Sequence, residues 1–180
     1  MLCGFENSIG FDMGGTSTDV SLVYENQSTI TREWYIEYGH PICFPSIDIK
    51  TIGAGGGSIA WIDDAGSLRN GPMSAGARPG PACYGEGGDK PTNTDANVLL
   101  GRLGDGLAGG DLRLDPALAR RAIAEKVGVP LGLSEVEAAK SIIDVANANM
   151  ADAIRLVSIM RGYDPRDFAL IAFGGAGALR

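Results

Sequence analysis

The residues best equipped for chemistry lie between positions 10 and 20, where two carboxylates flank a turn of glycine, serine and threonine. Glycine lets the backbone turn sharply and leaves amide groups uncovered for a close anion, and hydroxyl groups add hydrogen-bond donors. Asp12 ends an apolar run, where a carboxylate can hold a hydrated Mg²⁺ beside a phosphate group. The stretch therefore predicts a phosphate site, although an ordinary hairpin would use the same turn-forming residues. The candidate phosphate and metal contacts are Asp12, Gly14, Gly15, Thr16, Ser17, Thr18 and Asp19.

Two further glycine clusters offer candidate ligand contacts. The run at 53–58 has no lysine before Ser58, so it is not a Walker A loop. Its backbone amides can face a ligand, or the run can be a turn packed against a neighbour. The cluster at 174–177 follows an apolar run, and such a turn lets an adenine or a ribose lie against the backbone. The candidate contacts are Gly55, Gly56, Gly57, Gly174, Gly175 and Gly177.

Strands are expected to position these turns. Alternating or continuous apolar patterns, rich in β-branched and aromatic residues, predict them at 9–12, 19–24, 29–38, 47–52 and 168–173. The last of these is expected to be buried.

Three helices are expected to pack on the strands. Thr94 has the character of an N-cap for a helix over 95–103, and Asp115-Pro116 begins a second helix that runs to 127. Ser134 and Glu137 form a capping box for the longest helix, over 135–161. One buried stripe is predicted along that helix, through Ala139, Ile143, Ala146, Met150, Ala153, Val157 and Met160.

Asp95 sits in the first turn of the first predicted helix. A carboxylate there matches the helix dipole, which explains it adequately, but a ligand contact is the open alternative.

Composition limits the class of protein. With 180 residues the chain has the length of one domain, and its net charge of −7 without a basic stretch argues against nucleic acid or an anionic membrane as partner. We expect a cytoplasmic protein, because no secretory signal or membrane span is recognisable and the three cysteines show no pairing pattern. Cys83 would need a nearby base to act as a nucleophile, and the single histidine, His40, is expected in an exposed loop.

Four stretches together resemble the hydantoinase A/oxoprolinase family, within the actin/Hsp70/sugar-kinase ATPase superfamily. They are the opening turn, "TIGAGGGSIAWID", "GPMSAGARPGPACYGEGGDKPTNTDANVLLGRL" and "GYDPRDFALIAFGGAGAL". The resemblance implies an α/β fold, an actin-like (ribonuclease H-like) ATPase lobe with a mixed sheet and flanking helices. It implies one domain over 1–180, with a phosphate-loop sheet at 1–52, a glycine-rich insertion at 53–114, and helices, a last strand and an adenosine-type loop at 115–180. Only one phosphate loop is present, so we expect a fragment or split-gene subunit that covers the second ATPase lobe.

The same resemblance implies ATP and Mg²⁺ as cofactors, with Asp12 holding Mg²⁺ through water, and ATP-dependent hydrolysis of a small cyclic amide. The implied partners are the missing first ATPase lobe and a hydantoinase B-like subunit or domain. A ketone carboxylase subunit is the alternative enzyme, and an inactive lobe that serves as an interaction module is the alternative outside enzymes. The chain departs from the family pattern at Lys50, where a histidine is usual, and at Ala178, where a proline is usual. The resemblance assigns no catalytic residue.

Overall fold

In the computed structural model of the protein, the described residues are 4–32, 34–35, 41–42, 44–107 and 111–179. Their strands, in chain order, are β1 Ser8–Met13, β2 Thr18–Tyr24, β3 Gln27–Ser28, β4 Ile30–Thr31, β5 Trp34–Tyr35, β6 Pro41–Ile42, β7 Ser46–Ile47, β8 Ile49–Ile52, β9 Ser58–Ile62, β10 Leu68–Ser74, β11 Gly106–Leu107, β12 Leu112–Arg113 and β13 Ala169–Phe173. Their α-helices are α1 Asn93–Leu99, α2 Pro116–Ile123, α3 Val129–Leu131 and α4 Glu135–Val157. A π-helical turn, Ala124–Gly128, joins α2 to α3, and short 3₁₀ turns lie at Ala82–Tyr84, Ile159–Arg161, Pro165–Asp167 and Gly177–Leu179.

The central sheet is mixed, as predicted. Its strand order is β13-β1-β2-β3, with β8 also paired to β2. β1 runs parallel to β13 and antiparallel to β2. This topology brings the β1–β2 turn and the turn after β13 to the same edge of the sheet, because the parallel strands β1 and β13 both end there.

One face of this sheet forms the main core. Ile9, Phe11 and Met13 alternate inward along β1, and they pack in one buried cluster with Met150 and Ala153 of α4. A second cluster packs α4 against the end of α2 and the π-helical turn that follows, through residues that include Ile123, Val127, Ile142 and Ile143. Helix α4 is therefore shared by both clusters and fixes the sheet relative to the middle of the chain.

The opposite face of the sheet is only partly covered. One row of neighbouring residues across its strands consists of Ile171, Gly10, Ser21 and Ile49. Ile171 and Ile49 are exposed, and Gly10 and Ser21 are half-buried.

Strand β13 is also the end strand in the sheet order, and Leu170 is 57% exposed. The prediction of a buried last strand was therefore wrong, because β13 has a neighbour on one side alone among the described residues.

The helix starts and ends refine the predictions. The capping box of Ser134 and Glu137 is confirmed, as is the cap of α2 by Asp115. α1 begins two residues earlier than predicted, with Thr92 rather than Thr94 as N-cap, and it ends at Leu99. α4 ends at Val157 rather than at 161, so the predicted stripe stops before Met160, which is 74% exposed.

The predicted strand over 29–38 is interrupted, and part of it lies outside the described residues, as do His40, Cys3 and Cys43. The predicted strand over 47–52 is broken at Asp48. The Asp48 carboxylate forms an ion pair with Arg161 beyond the end of α4, which ties the two segments together. In the described part of the chain, no helix is long and apolar enough to cross a membrane.

Candidate functional site

The β1–β2 turn, residues 14–17, contains backbone amide donors that have no acceptor within the described residues. It is closed by the Gly14 amide, which donates to the Ser17 carbonyl at 2.9 Å. The amides of Gly15, Thr16 and Ser17 donate to no acceptor in the described part of the chain, and Gly15 and Thr16 are exposed. Successive free amides in a tight turn form a concave anion-binding surface. The turn predicted from the sequence thus contains three consecutive backbone amides that are available as donors.

The second glycine cluster, residues 55–57, is packed directly onto this turn. The Gly56 amide donates to the Gly14 carbonyl (3.0 Å), and the Gly57 amide donates to the Gly15 carbonyl (2.6 Å). A Cβ on Gly55 would lie 2.6 Å from the Gly15 carbonyl carbon, so only glycine allows this approach. We call residues 55–57 the glycine clamp.

All three amides of the glycine clamp are hydrogen-bonded within the protein. The interpretation in which these amides face a ligand is therefore wrong. The Gly55 amide donates to the Ser58 hydroxyl (2.8 Å), and the other two amides are used on the turn. The turn packed against a neighbour is therefore the arrangement that the structure contains. Gly56 and Gly57 still line the cavity described below, whereas Gly55 does not.

The third glycine cluster approaches the turn from the other side. Gly174 adopts φ = 86° beside Asp12, and the Ala176 amide donates to the Met13 carbonyl at 2.9 Å. A Cβ on Gly175 would meet nothing within 4 Å, so this glycine faces open space. Gly177 is buried beneath the loop, where its amide donates to the Gly174 carbonyl. The glycine clamp and the loop 174–177, more than a hundred residues apart in sequence, thus meet at the end of β1 and its turn.

Two carboxylates stand next to each other at this edge. Asp12 and Asp19 are direct partners in the antiparallel register of β1 and β2, and both are half-buried. The Asp19 carboxylate accepts a hydrogen bond from the Thr51 hydroxyl. Like charges in directly opposed positions destabilise a sheet, so a cation near this pair would relieve a repulsion. No group of three or more His, Cys, Asp or Glu residues forms a metal cage within the described ranges, so a bound Mg²⁺ would keep water and phosphate ligands.

The Thr18 hydroxyl does not face the turn. Thr18 is fully buried, and its hydroxyl donates to the Ala54 carbonyl. Its predicted contribution as a side-chain phosphate donor is therefore wrong in this structure, because strand alternation directs it into the core with Val20 and Leu22. It instead anchors the residue that precedes the glycine clamp.

A cavity of about 520 Å³ lies between the three glycine clusters. One wall is formed by polar backbone at the turn, the clamp and Gly175. Much of the remaining wall is apolar, and its side chains include Tyr84, Leu103, Leu107, Leu112 and Leu179. Ligand pockets of this size with a few converging polar groups are typical binding sites. The cavity therefore combines backbone polar groups on one wall with an apolar surface on another.

Asp95 is buried below the cavity and is fully engaged there. Its Oδ1 accepts from the Cys83 amide (2.7 Å), and its Oδ2 accepts from the Ala82 amide (3.2 Å). Oδ2 also accepts from the amide (2.8 Å) and the hydroxyl (2.7 Å) of Thr92. The structure therefore does not support a ligand contact by Asp95. The carboxylate instead fastens the loop that contains Cys83 to the start of α1.

Cys83 is fully buried against this carboxylate. Burial raises the pKa of its thiol, and the negative charge of Asp95 raises it further. A thiol rather than a thiolate is therefore present at neutral pH, and the structure gives Cys83 a packing role.

Two neighbours of Asp95 have a role that was not predicted from the sequence, since Thr94 was expected to be an N-cap and Asn93 was not named. The Asn93 side-chain amide donates to the Gly55 carbonyl (2.8 Å), and the Thr94 amide and hydroxyl both donate to the Gly56 carbonyl (2.8 and 2.9 Å). The start of α1 thus holds the glycine clamp in place. No local signal could reveal these contacts, because the acceptors lie 38 residues away in sequence. Lys50 is exposed on β8, opposite Val20, and does not line the cavity.

Comparison with known proteins matches the whole chain to one family. The Hydantoinase/oxoprolinase family model matches residues 1–180. The chain is 51% identical to the caprolactamase subunit alpha of Pseudomonas jessenii over 178 residues, which are 98% of this chain and 25% of that subunit. The crystal structure of the ATP-dependent caprolactamase superposes with a TM-score of 0.89 over 98% of this chain and 26% of its own.

Two further relatives carry other activities in their names. A nucleotide-free structure of acetone carboxylase, from work on ATP-dependent acetone carboxylation, matches with a TM-score of 0.86 and 31% identity over 98% of this chain and 25% of its own. The 5-oxoprolinase PfmaA of Pestalotiopsis fici is 40% identical over 94% of this chain and 14% of its own length. The chain thus spans about a quarter or less of the relatives it matches. These likenesses confirm the predicted α/β lobe of the actin-like ATPase type.

Proposed function

Because this chain belongs to the hydantoinase/oxoprolinase family, we propose that it supplies one half of an ATP site in an enzyme that hydrolyses a cyclic amide. The observation that carries the proposal is the convergence of the free-amide turn, the glycine clamp and the loop 174–177 on one cavity. Sequence-distant glycines are brought together at the ends of parallel strands, where open α/β sheets bind their ligands.

The residues of the chain have separate tasks in this proposal. The amides of Gly15, Thr16 and Ser17 bind the polyphosphate, with the hydroxyls of Thr16 and Ser17 as further donors. Asp12 holds Mg²⁺ through water, and the neighbouring charge of Asp19 strengthens the attraction for a cation. The loop at 174–177 and the apolar wall of the cavity take the adenosine. Mg-ATP, when bound, supplies the phosphoryl group that makes an amide carbonyl a better electrophile.

The protein contributes mainly position and charge to such a reaction, because phosphoryl transfer asks little covalent chemistry of it. Free amides at the turn meet negative charge without reorganising, and the half-buried setting of the carboxylates strengthens their field. We assign no catalytic base within the described residues. The groups that complete the site belong, in this proposal, to a first ATPase lobe and to a hydantoinase B-like subunit or domain.

A cyclic amide is proposed as substrate because two relatives are named for such compounds, caprolactamase and 5-oxoprolinase. The test is product analysis with this chain in its full-length protein, together with a candidate hydantoinase B-like partner. We expect ADP release that depends on 5-oxoproline, caprolactam or a hydantoin, with the ring-opened acid formed in equal amount. ADP release that none of these lactams stimulates would contradict the proposed substrate class.

A ketone carboxylase subunit is the second candidate, favoured by the structural likeness to acetone carboxylase. The same assay separates the two, because acetone with bicarbonate would then stimulate ADP release and the lactams would not.

For the 180-residue chain alone we propose negligible ATP turnover, since half of the site is contributed from elsewhere. Robust Mg²⁺-dependent hydrolysis by the purified chain, abolished by Asp12→Ala, would contradict that. We also propose a cytoplasmic location.

A further inference from the structure

We propose that Arg78 is a polyphosphate-binding residue, which reaches into the cavity from the wall facing the β1–β2 turn. This inference rests on the proposed function and adds to it a contact that the phosphate and adenosine loops do not include. Among the described residues that line the cavity, Arg78 is the only one with a positive charge. A site for a polyanion whose remaining donors are neutral amides gains most from such a group.

Backbone hydrogen bonds hold the Arg78 loop close to the turn. The Gly57 amide donates to the Gly15 carbonyl, and the Gly57 carbonyl accepts from the Ala75 amide at 2.9 Å. The loop from Ala75 is closed by the Gly80 amide, which donates to the Ala75 carbonyl at 3.2 Å. A Cβ on Gly57 would lie 3.1 Å from the Gly15 carbonyl oxygen and 3.8 Å from the Gly76 amide nitrogen, so the turn and the loop base flank the same glycine. Arg78, near the tip of that loop, lines the same cavity as Gly15 and Thr16 of the turn.

The Arg78 guanidinium has a weak ion-pair partner, Glu86, which also lines the cavity. Its side chain is 89% exposed, and its only charged neighbour among the described residues is Glu86, with Nε 3.5 Å from the carboxylate oxygen. That separation is too long for a good hydrogen bond, and exposed ion pairs are weak. Phosphate oxygens, by contrast, match the planar fork of the guanidinium with two parallel hydrogen bonds.

The loop is also built to present a side chain rather than to pack it. Gly80 adopts φ = 73°, where a Cβ would meet the Tyr84 ring at 2.7 Å, and Tyr84 itself lines the cavity. The loop base is further fixed by Asp95, which accepts from the amides of Ala82 and Cys83. A hydrogen-bonded base with an exposed, weakly paired cation at its tip is the arrangement expected of an anion-contact residue.

The test measures binding rather than turnover. Titration of Mg-ATP and of inorganic tripolyphosphate into the wild-type chain and into Arg78→Ala should show an affinity loss of about ten- to a hundredfold for both ligands. Arg78→Lys keeps the charge but not the fork, so it should recover part of the loss. Adenosine should bind both proteins equally. Arg166→Ala is the matched control, because the Arg166 side chain is 88% exposed and also pairs with a carboxylate.

A chemical readout checks for direct contact. Phenylglyoxal should modify Arg78 in the free chain, and tripolyphosphate should protect Arg78 but not Arg166, as followed by mass spectrometry of peptides. Arg78→Ala that binds both anions within twofold of wild type, or Arg78 that stays unprotected at saturation, would overturn the inference while leaving the proposed ATP site intact. A wild-type chain that binds neither anion would overturn the proposed function and this inference with it.

Discussion

Replacement of Asp95 by asparagine should destabilise the fold by several kcal/mol, because the carboxylate is a buried acceptor for its surroundings. An asparagine can keep its one oxygen at the position of Oδ2, where Thr92 and Ala82 donate. Its NH₂ group then faces the Cys83 amide, which donates to Oδ1 in the wild type. One buried donor loses its acceptor, at about 1–3 kcal/mol. The remaining bonds lose their charged acceptor, and together these effects amount to about 3–5 kcal/mol.

Urea unfolding followed by circular dichroism measures this loss. At a slope of about 2 kcal/mol per molar urea, the midpoint should fall by about 1.5–2.5 M. Asp89→Asn is the matched control, since Asp89 is an exposed carboxylate of the same segment, and its midpoint should stay within about 0.3 M of the wild type.

The opposite outcome has a clear meaning. If Asp95→Asn unfolds at the wild-type midpoint but loses affinity for Mg-ATP, Asp95 is a ligand contact and the structural role is wrong. A variant that is too unstable to isolate agrees with the structural role. Thr92→Val then gives a milder check, because it removes only the hydroxyl that donates to Oδ2 and accepts from the Asp95 amide.

Three further predictions follow from other parts of the structure. Gly55→Ala should lower the affinity for Mg-ATP at least tenfold and destabilise the fold, because its methyl group would lie 2.6 Å from the turn backbone. Gly175→Ala is the control and should leave the melting temperature unchanged, because its methyl group would meet nothing within 4 Å. In a variant whose other two cysteines are serine, Cys83 should react with a thiol reagent at pH 8 only after unfolding. Burial and the Asp95 charge raise the pKa of its thiol and keep the thiolate fraction low, so fast reaction of the native protein would contradict this prediction. The wild-type chain should self-associate at high concentration through the partly covered sheet face. In sedimentation, Ile171→Asp should reduce this association, whereas Val129→Asp, a change at an exposed residue of α3, should not. A monomeric wild-type chain would count against the prediction.

The central turn was largely predictable because its signal is local. An apolar run, a carboxylate, two glycines and hydroxyl-bearing residues specify a strand–turn–strand unit within about ten positions. The same local pattern also contained the correct orientation of Thr18. It alternates with Asp19 and falls in phase with Val20, which places its side chain in the core.

The glycine clamp was less predictable, because its partners are distant in sequence. Whether an amide at Gly56 is free or bonded depends on a carbonyl at position 14, and no local rule supplies that pairing. Asp95 shows the same limit. Its place in a capping box is a local property, but its bonds to Ala82 and Cys83 depend on how the long loop folds back. The exposed state of β13 depends on which strands flank it, which its apolar sequence does not reveal.

The most direct test of the nucleotide half-site is a calorimetric titration of Mg-ATP into the purified chain, with Asp12→Ala and the exposed-carboxylate control Asp64→Ala beside it. We predict saturable binding by the wild type and by Asp64→Ala, and at least tenfold weaker binding by Asp12→Ala. Absence of binding by the wild type up to millimolar nucleotide, or equal binding by all three proteins, would contradict the assignment of this cavity to ATP.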